Sequence, residues 1–342
     1  MRQKLRRYVA AGLVAATAWT GARAQEGTYS FLEIPYSSHA FALGGSAAGN
    51  AVIAPDVTLA GANPGLLGAE VETQASLNYM HWLGDSNFFG AHFGMGYGSH
   101  SAWGCGIQYL GFGNVMGTLP DGTVTGEFAM HDIVLNGIYS YDITDRLRGG
   151  INVKMIVSSY EHYSALAMAA DVGVNYYDPE RDMSLSAVFK NMGGQIKRFD
   201  KEYTRVPFDI QVSWMQRVGS SPIQVGVSAW NLTKWKLPYY THSSDGSLES
   251  EYKDTFMSNL LRHLIFSAQY SPSDKFYIAL GYNYKTRTDM STYQRNFLSG
   301  FSAGFGLRVK NFSVDLSYAQ PHKGGSSIML NLAMSLQELL RN

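Results

Sequence analysis

Across residues 164–177 the side chains alternate in character. Leu166, Met168, Ala170, Val172, Val174 and Tyr176 fall on one parity, and Ala167, Ala169, Asp171, Gly173 and Asn175 on the other. A period of two is the signature of a β-strand. One face is wholly apolar or aromatic and the other mixes small residues with an acid and an amide, so the strand separates oil from a polar interior. The same pattern can be read about fourteen times along the chain, as a set of half-apolar strands. It predicts strands at 73–82, 88–97, 103–111, 128–143, 147–158, 165–177, 184–190, 208–215, 223–230, 263–270, 276–285, 301–309, 312–318 and 327–336. Strands with an oily outer face are stable in hydrocarbon only when the sheet closes on itself and leaves no unpaired edge.

The connections between these strands alternate in length. The even-numbered ones are short, such as 144–146 and 310–311, whereas 113–126, 191–206, 232–262 and 286–296 are long. Short periplasmic turns facing long outer loops are the asymmetry of an outer-membrane barrel. The expected fold is therefore all-β, a transmembrane antiparallel barrel of about fourteen strands occupying 71–342. Such a barrel has a lumen too wide for its own side chains to fill. Residues 25–70 lack the alternation and carry Leu43-Gly44-Gly45 and Asn63-Pro64-Gly65-Leu66-Leu67, all small, apolar or turn-forming. This segment is expected inside the barrel as a plug or hatch.

Composition narrows the class further. Charged residues make up only 16% of the 342, below the roughly 25% of a soluble chain, so little charged surface is available to face water. The basic start, the apolar run and Ala22-Arg23-Ala24 mark residues 1–24 as a signal peptide. Five of the 27 basic residues lie there, so its removal leaves 22 bases against 27 acids, and nothing resembles a nucleic-acid footprint. Export without a helical span, combined with the strand pattern, points to the outer membrane.

Candidate chemistry is sparse. The single cysteine, Cys105, allows neither an internal disulfide nor a thiolate metal cluster. His81, His92, His100, His131, His162, His263 and His322 are scattered, and no Gly-x-Ser-x-Gly is present. No enzyme activity, cofactor or metal is expected. Asp132, Arg148, Lys154, Asp171, Asp209, Lys285, Arg308 and Asp315 take the lumen parity. They read either as a selectivity-setting pore or as a paired network that holds the plug, and pairing is what makes buried charge tolerable. In the loop 232–262, Trp235, Tyr239 and Tyr240 are expected to anchor a surface partner or, for Trp235, to join the interfacial aromatic girdle. Phe256, Leu260, Leu261 and Leu264 recur at helical spacing and predict a short helix laid back over the mouth.

Several segments carry a family resemblance. Phe31-Leu32-Glu33-Ile34-Pro35, Ser37-Ser38-His39, Ala42-Leu43-Gly44-Gly45, Asp56-Val57 and the Asn63-Pro64 run resemble the start of the PorQ family of type IX secretion components. More broadly they are similar to PorV and FadL-like barrels, and Gly149-Gly150, Asp171-Val172-Gly173 and Lys190-Asn191-Met192-Gly193-Gly194 fit as well. His39 stands where the family pattern suggests Arg, and Gly65 where it suggests Ala. The resemblance implies a non-enzymatic fourteen-stranded barrel that anchors a surface partner of the PorZ type. It further implies an attachment complex with PorV and the sortase-like PorU, which links secreted proteins to lipopolysaccharide. A FadL-like channel for hydrophobic small molecules is the alternative reading.

Overall fold

The computed structural model describes residues 29–45, 56–82, 84–118, 124–199, 203–237, 239–242, 248–251, 255–289, 298–322 and 325–337. Residues 1–24, read as a signal peptide, lie outside them. Sixteen strands follow in chain order: β1 (Thr73–His81), β2 (Asn87–Tyr97), β3 (Ser101–Thr118), β4 (Val124–Thr144), β5 (Leu147–Tyr160), β6 (Tyr163–Asp178), β7 (Met183–Lys197), β8 (Asp209–Arg217), β9 (Ile223–Ala229), β10 (Tyr239–His242), β11 (Leu248–Glu251), β12 (Leu264–Ser273), β13 (Phe276–Asn283), β14 (Phe301–Val309), β15 (Phe312–His322) and β16 (Gly325–Ser335). Fourteen of them close into one antiparallel barrel, with β1 paired to β16, while β10 and β11 form a separate hairpin.

Burial along the strands alternates as the sequence does. On β6, Met168, Val172 and Val174 face outward and exposed, whereas Ala167, Ala169, Asp171 and Asn175 face the lumen and are buried. Outward positions elsewhere are as oily: Leu77, Phe89, Ile107, Leu280 and Phe305 are all exposed. A closed wall with this surface spans a bilayer by strands, and a β-barrel of this kind belongs to the outer membrane. Cys105 lies on the same outer face. At one end the six connections β2–β3, β4–β5, β6–β7, β8–β9, β12–β13 and β14–β15 are two to five residues long. That end also holds the first residue of β1 and the last of β16, and by its short turns it faces the periplasm.

The wall is taller on one side than the alternation suggests. β3 and β4 run through most of the expected loop 113–126, and β7 continues to Lys197 rather than stopping at Lys190. In each case a register shift hides the continuation, between Gly111 and Asn114 on β3 and opposite the Ala170/Val172 step of β6. A bulge adds a residue and reverses parity, so a strict period-two reading stops where the pairing does not. Lys285, expected at the end of a strand, stands instead on the short helix Tyr284–Asp289.

Candidate functional site

The lumen is occupied by residues 29–45 and 56–71. Three side-chain caps organise them: Ser37 accepts from the Ala40 amide, Asp56 from the Thr58 amide at 2.8 Å, and Asn63 from the Gly65 amide at 2.9 Å. Each opens a short helical turn, at Ser38–Ala42, Val57–Gly61 and Pro64–Leu66. A capped turn satisfies the first orphan amides of its helix locally, so a segment too short to be helical alone keeps its shape. Pro64 at the first helical position helps, because its missing N–H would be unpaired anyway.

Around the wall, polar side chains hold these turns. His39 Nε2 meets Gln269 Oε1 at 2.7 Å, and Ser38 Oγ meets Ser317 Oγ at 2.8 Å. Ser302 donates to the Ala42 carbonyl at 2.8 Å, Ser140 to the Leu67 carbonyl at 2.6 Å, and Asn63 Nδ2 to the Val174 carbonyl at 3.1 Å. These bonds reach β4, β6, β12, β14 and β15, so the segment is tied to both sides of the barrel.

Glycines set where the backbones approach. Gly150 and Gly173 are cross-strand partners on β5 and β6, and the Asn63-Pro64-Gly65 turn sits on them. A Cβ on Gly173 would overlap Asn63 Oδ1; one on Gly150 would overlap the Pro64 carbonyl and come within 2.8 Å of the Gly65 amide. Gly94 serves Val57 in the same way, with a Cβ contact of 2.7 Å to Val57 Cγ2. Hence Gly150→Val is expected to lift the 64–66 turn from the wall. With Cys105 replaced by Ala and Leu59 by Cys, labelling of the buried Leu59→Cys thiol by a maleimide should accelerate at least tenfold in the Gly150→Val barrel. Equal labelling rates would show that the turn does not depend on that gap.

The lumen charges fall into separate groups. Arg148 bonds Asp142 at 2.5 Å and Glu70 through both oxygens at 2.8 and 3.0 Å. Lys154 lies 2.6 Å from Asp171, whose carboxylate also accepts from Asn152 Nδ2 and the Asn191 amide. Asp132 accepts from Tyr160, and Asp315 from Tyr277 and Asn331. Asp209 is satisfied by the Ile210 amide and Gln211, and Arg308 sits in the field of Asp56, Asp315 and Asp274. Of the seven strand positions, only Arg148 forms an ion pair with the N-terminal segment among the described residues. Alternation reveals which face a charge takes but not its partner, and Glu70 and Asp142 were not singled out by it.

The alternation also misses an apolar patch within the lumen. Met80, Phe88, Leu110, Val134, Ile156 and Met329 point inward and pack with Tyr29, Phe31, Leu32, Tyr36 and Phe41. The N-terminal segment thus brings a hydrophobic core of its own, at about 1.5–3 kcal/mol for each large side chain fully removed from water. Doubled apolar positions such as Phe88-Phe89 are the only signal of it in the sequence. Beside this core is a cavity of about 620 Å³, walled by Phe31, Leu32, Ile34, Leu110 and Phe112 and edged by Glu33, Lys190 and Asp209. Burial raises the Glu33 carboxyl above its ordinary range, a shift that Lys285 opposes.

At the outer mouth, Trp235 is 48% exposed, stacks on His263 at 5.5 Å and meets Phe256 in a tilted contact at 5.2 Å. His263 Nε2 also bonds the Trp235 carbonyl. Tyr239 and Tyr240 pair with Glu251 and Ser250 in the β10–β11 hairpin, and their side chains lie outside the described residues. The helix expected from Phe256, Leu260 and Leu261 is present at Phe256–Arg262, but its buried residues are Asn259 and Arg262. Its inward face is polar because it meets a lumen mouth rather than a hydrophobic core.

Fold and lumen together define a transmembrane β-barrel of FadL-like architecture with part of its N-terminal segment inside the lumen. Among solved structures it is similar to the CymD monoaromatic hydrocarbon channel, with a TM-score of 0.50 at 12% identity over 87% of this chain and 96% of that one. The Pseudomonas putida toluene transporter TodX matches with a TM-score of 0.47 at 11% identity over 87% and 96%. A Pseudomonas aeruginosa FadL homologue matches at 0.46 and 11% over 87% and 97%. At these identities the likeness is one of fold. No protein-family model matches the chain, and no curated protein matches it in sequence.

Proposed function

We propose that the protein is a non-catalytic outer-membrane anchor of a type IX secretion system, in the place that PorQ holds, retaining a surface partner of the PorZ type beside PorV and PorU. The observation that supports this reading most is the tied lumen. A segment hydrogen-bonded to opposite sides of the wall suits a rigid scaffold, and it carries the same motifs on which the PorQ resemblance rests. Trp235, Tyr239 and Tyr240, on the loop above the mouth, are the proposed contacts. Deleting the gene should leave secreted proteins unprocessed and the partner absent from outer membranes. Normal secretion together with lost growth on a lipid substrate would refute the anchor. Replacing residues 237–254 by a short Gly/Ser linker should release the partner from a correctly inserted barrel, and its retention would remove this loop from the contact.

A second reading is favoured by the cavity: its largely apolar wall and volume of about 620 Å³ suit a hydrophobic small molecule in a FadL-like uptake channel. The same deletion separates the two readings.

A further inference from the structure

β3 pairs with β2 only from Ser101 to Gly111, and β4 with β5 only from Met130 to Thr144. Beyond those limits the two strands pair with each other alone, from Asn114 opposite Ala129 to Thr118 opposite Val124. A tilted strand crosses the hydrocarbon in about 9–11 residues, whereas β3 has 18 and β4 has 21. This ribbon therefore stands above the membrane, and among the described residues neither of its outer edges enters a ladder.

A free edge presents a row of unpaired amides and carbonyls, and proteins guard such rows with Lys, Pro or a covering segment. The outer end of β7 is guarded in this way. It finishes at Lys197, and the chain at 203–207 lies over it, with the Thr204 amide on Gln195 Oε1 and Asn191 Nδ2 on the Pro207 carbonyl. Among the described residues the β3 edge of the ribbon carries neither Lys nor Pro: 112–118 reads Phe-Gly-Asn-Val-Met-Gly-Thr, Asp85 of the β1–β2 turn lies against its start at Gly113, and the one charged residue paired to it, Glu127 opposite Met116, belongs to β4. Met116 is 61% exposed and Val124 is exposed as well. The register shift at Gly111/Asn114 turns the ribbon, so Val115 and Phe128 form a half-buried apolar inner side.

We infer that the β3 edge of this ribbon is a strand-addition site, on which a neutral extended segment of the cell-surface partner pairs as an additional strand. The inference rests on the anchor reading. Backbone groups on an uncharged edge recognise an extended chain of matching neutrality, and the five paired residues 114–118 are the length of an ordinary strand, about 5–6 residues. Alternate side chains of the added strand would meet Val115 on one side and Met116 on the other.

The test uses the full barrel in lipid nanodiscs and the surface protein that copurifies with it from outer membranes, identified by mass. Amide exchange over 112–118 should slow at least tenfold when that protein is bound. Trimming the ribbon, by replacing 114–129 with Asn-Gly, should leave an inserted, heat-modifiable barrel that retains no more than a tenth of the partner. Met116→Lys, a side-chain change at an exposed position, should weaken retention severalfold with no effect on insertion. If a partner copurifies but exchange is unchanged and the trimmed barrel retains it fully, the edge is refuted while the anchor stands. If protection appears only against a second copy of this chain, the edge is a self-association site and the inference fails. If no protein copurifies, anchor and edge fall together.

Discussion

Asp171→Ala is expected to destabilise the barrel by about 3–5 kcal/mol, the usual consequence of leaving one member of a buried ion pair alone. Asp171 is 0% exposed and sits against Lys154 at 2.6 Å. Its removal also strips an acceptor from Asn152 Nδ2 and from the Asn191 amide, and Asn191 holds a left-handed φ of 56° at the bulge of β7. Lys154→Met should cost less, because Asp171 keeps both of those donors. The Lys154 ammonium would lose Asp171 yet retain Asn191 Oδ1, at 2.8 Å, in the Asp171→Ala barrel. Urea unfolding of barrels in vesicles would measure both variants. An Asp171→Ala change within about 1 kcal/mol of wild type would contradict the pairing, and equal costs for the two variants would show that the Asn152 and Asn191 donors do not sustain an unpaired Asp171.

One residue along, the solvent changes and so does the rule. Val172→Arg and Leu280→Arg place a cation on the lipid face near mid-depth, at a cost of about 2–4 kcal/mol that falls to about 0–1 near the interface. Val309, exposed beside the Lys310–Asn311 turn, supplies the interfacial control. Val309→Arg should fold nearly as well as wild type while the two mid-depth variants insert poorly. If all three unfold at the same urea concentration, those faces do not meet hydrocarbon. Arg at Gly173 or Gly281 also fails, for a different reason. Gly173 lies under Asn63 and Gly281 under Leu43 and Gly44, so the added side chain displaces the N-terminal segment without any lipid penalty.

These neighbours separate what is legible in the sequence from what is not. The parity of Asp171, Val172 and Gly173 follows from alternation alone, because a strand has only two faces and the two solvents differ so sharply. The fourteen strands and their antiparallel closure are legible on the same ground. Side-chain period marks faces, not heights or partners. The β3–β4 ribbon is obscured by a bulge that reverses parity, and the inward helix face of Asn259 and Arg262 by leucines that mimic a core-facing pattern.

The arrangement of the lumen is decided only in three dimensions. Arg148 meets Glu70 across 78 residues, His39 meets Gln269 across 230, and Ser38 meets Ser317 across 279. No local preference encodes such contacts, since each depends on which wall closure brings opposite a given turn of the N-terminal segment. The sequence by itself determined the barrel: period two, short inner turns and an oily outer face leave hydrocarbon-soluble strands no other stable form. The tertiary structure decided what the barrel encloses, because a lumen wide enough to admit the segment is filled by shape. Glycine gaps, capped turns and an apolar patch become complementary only once the wall has closed around them.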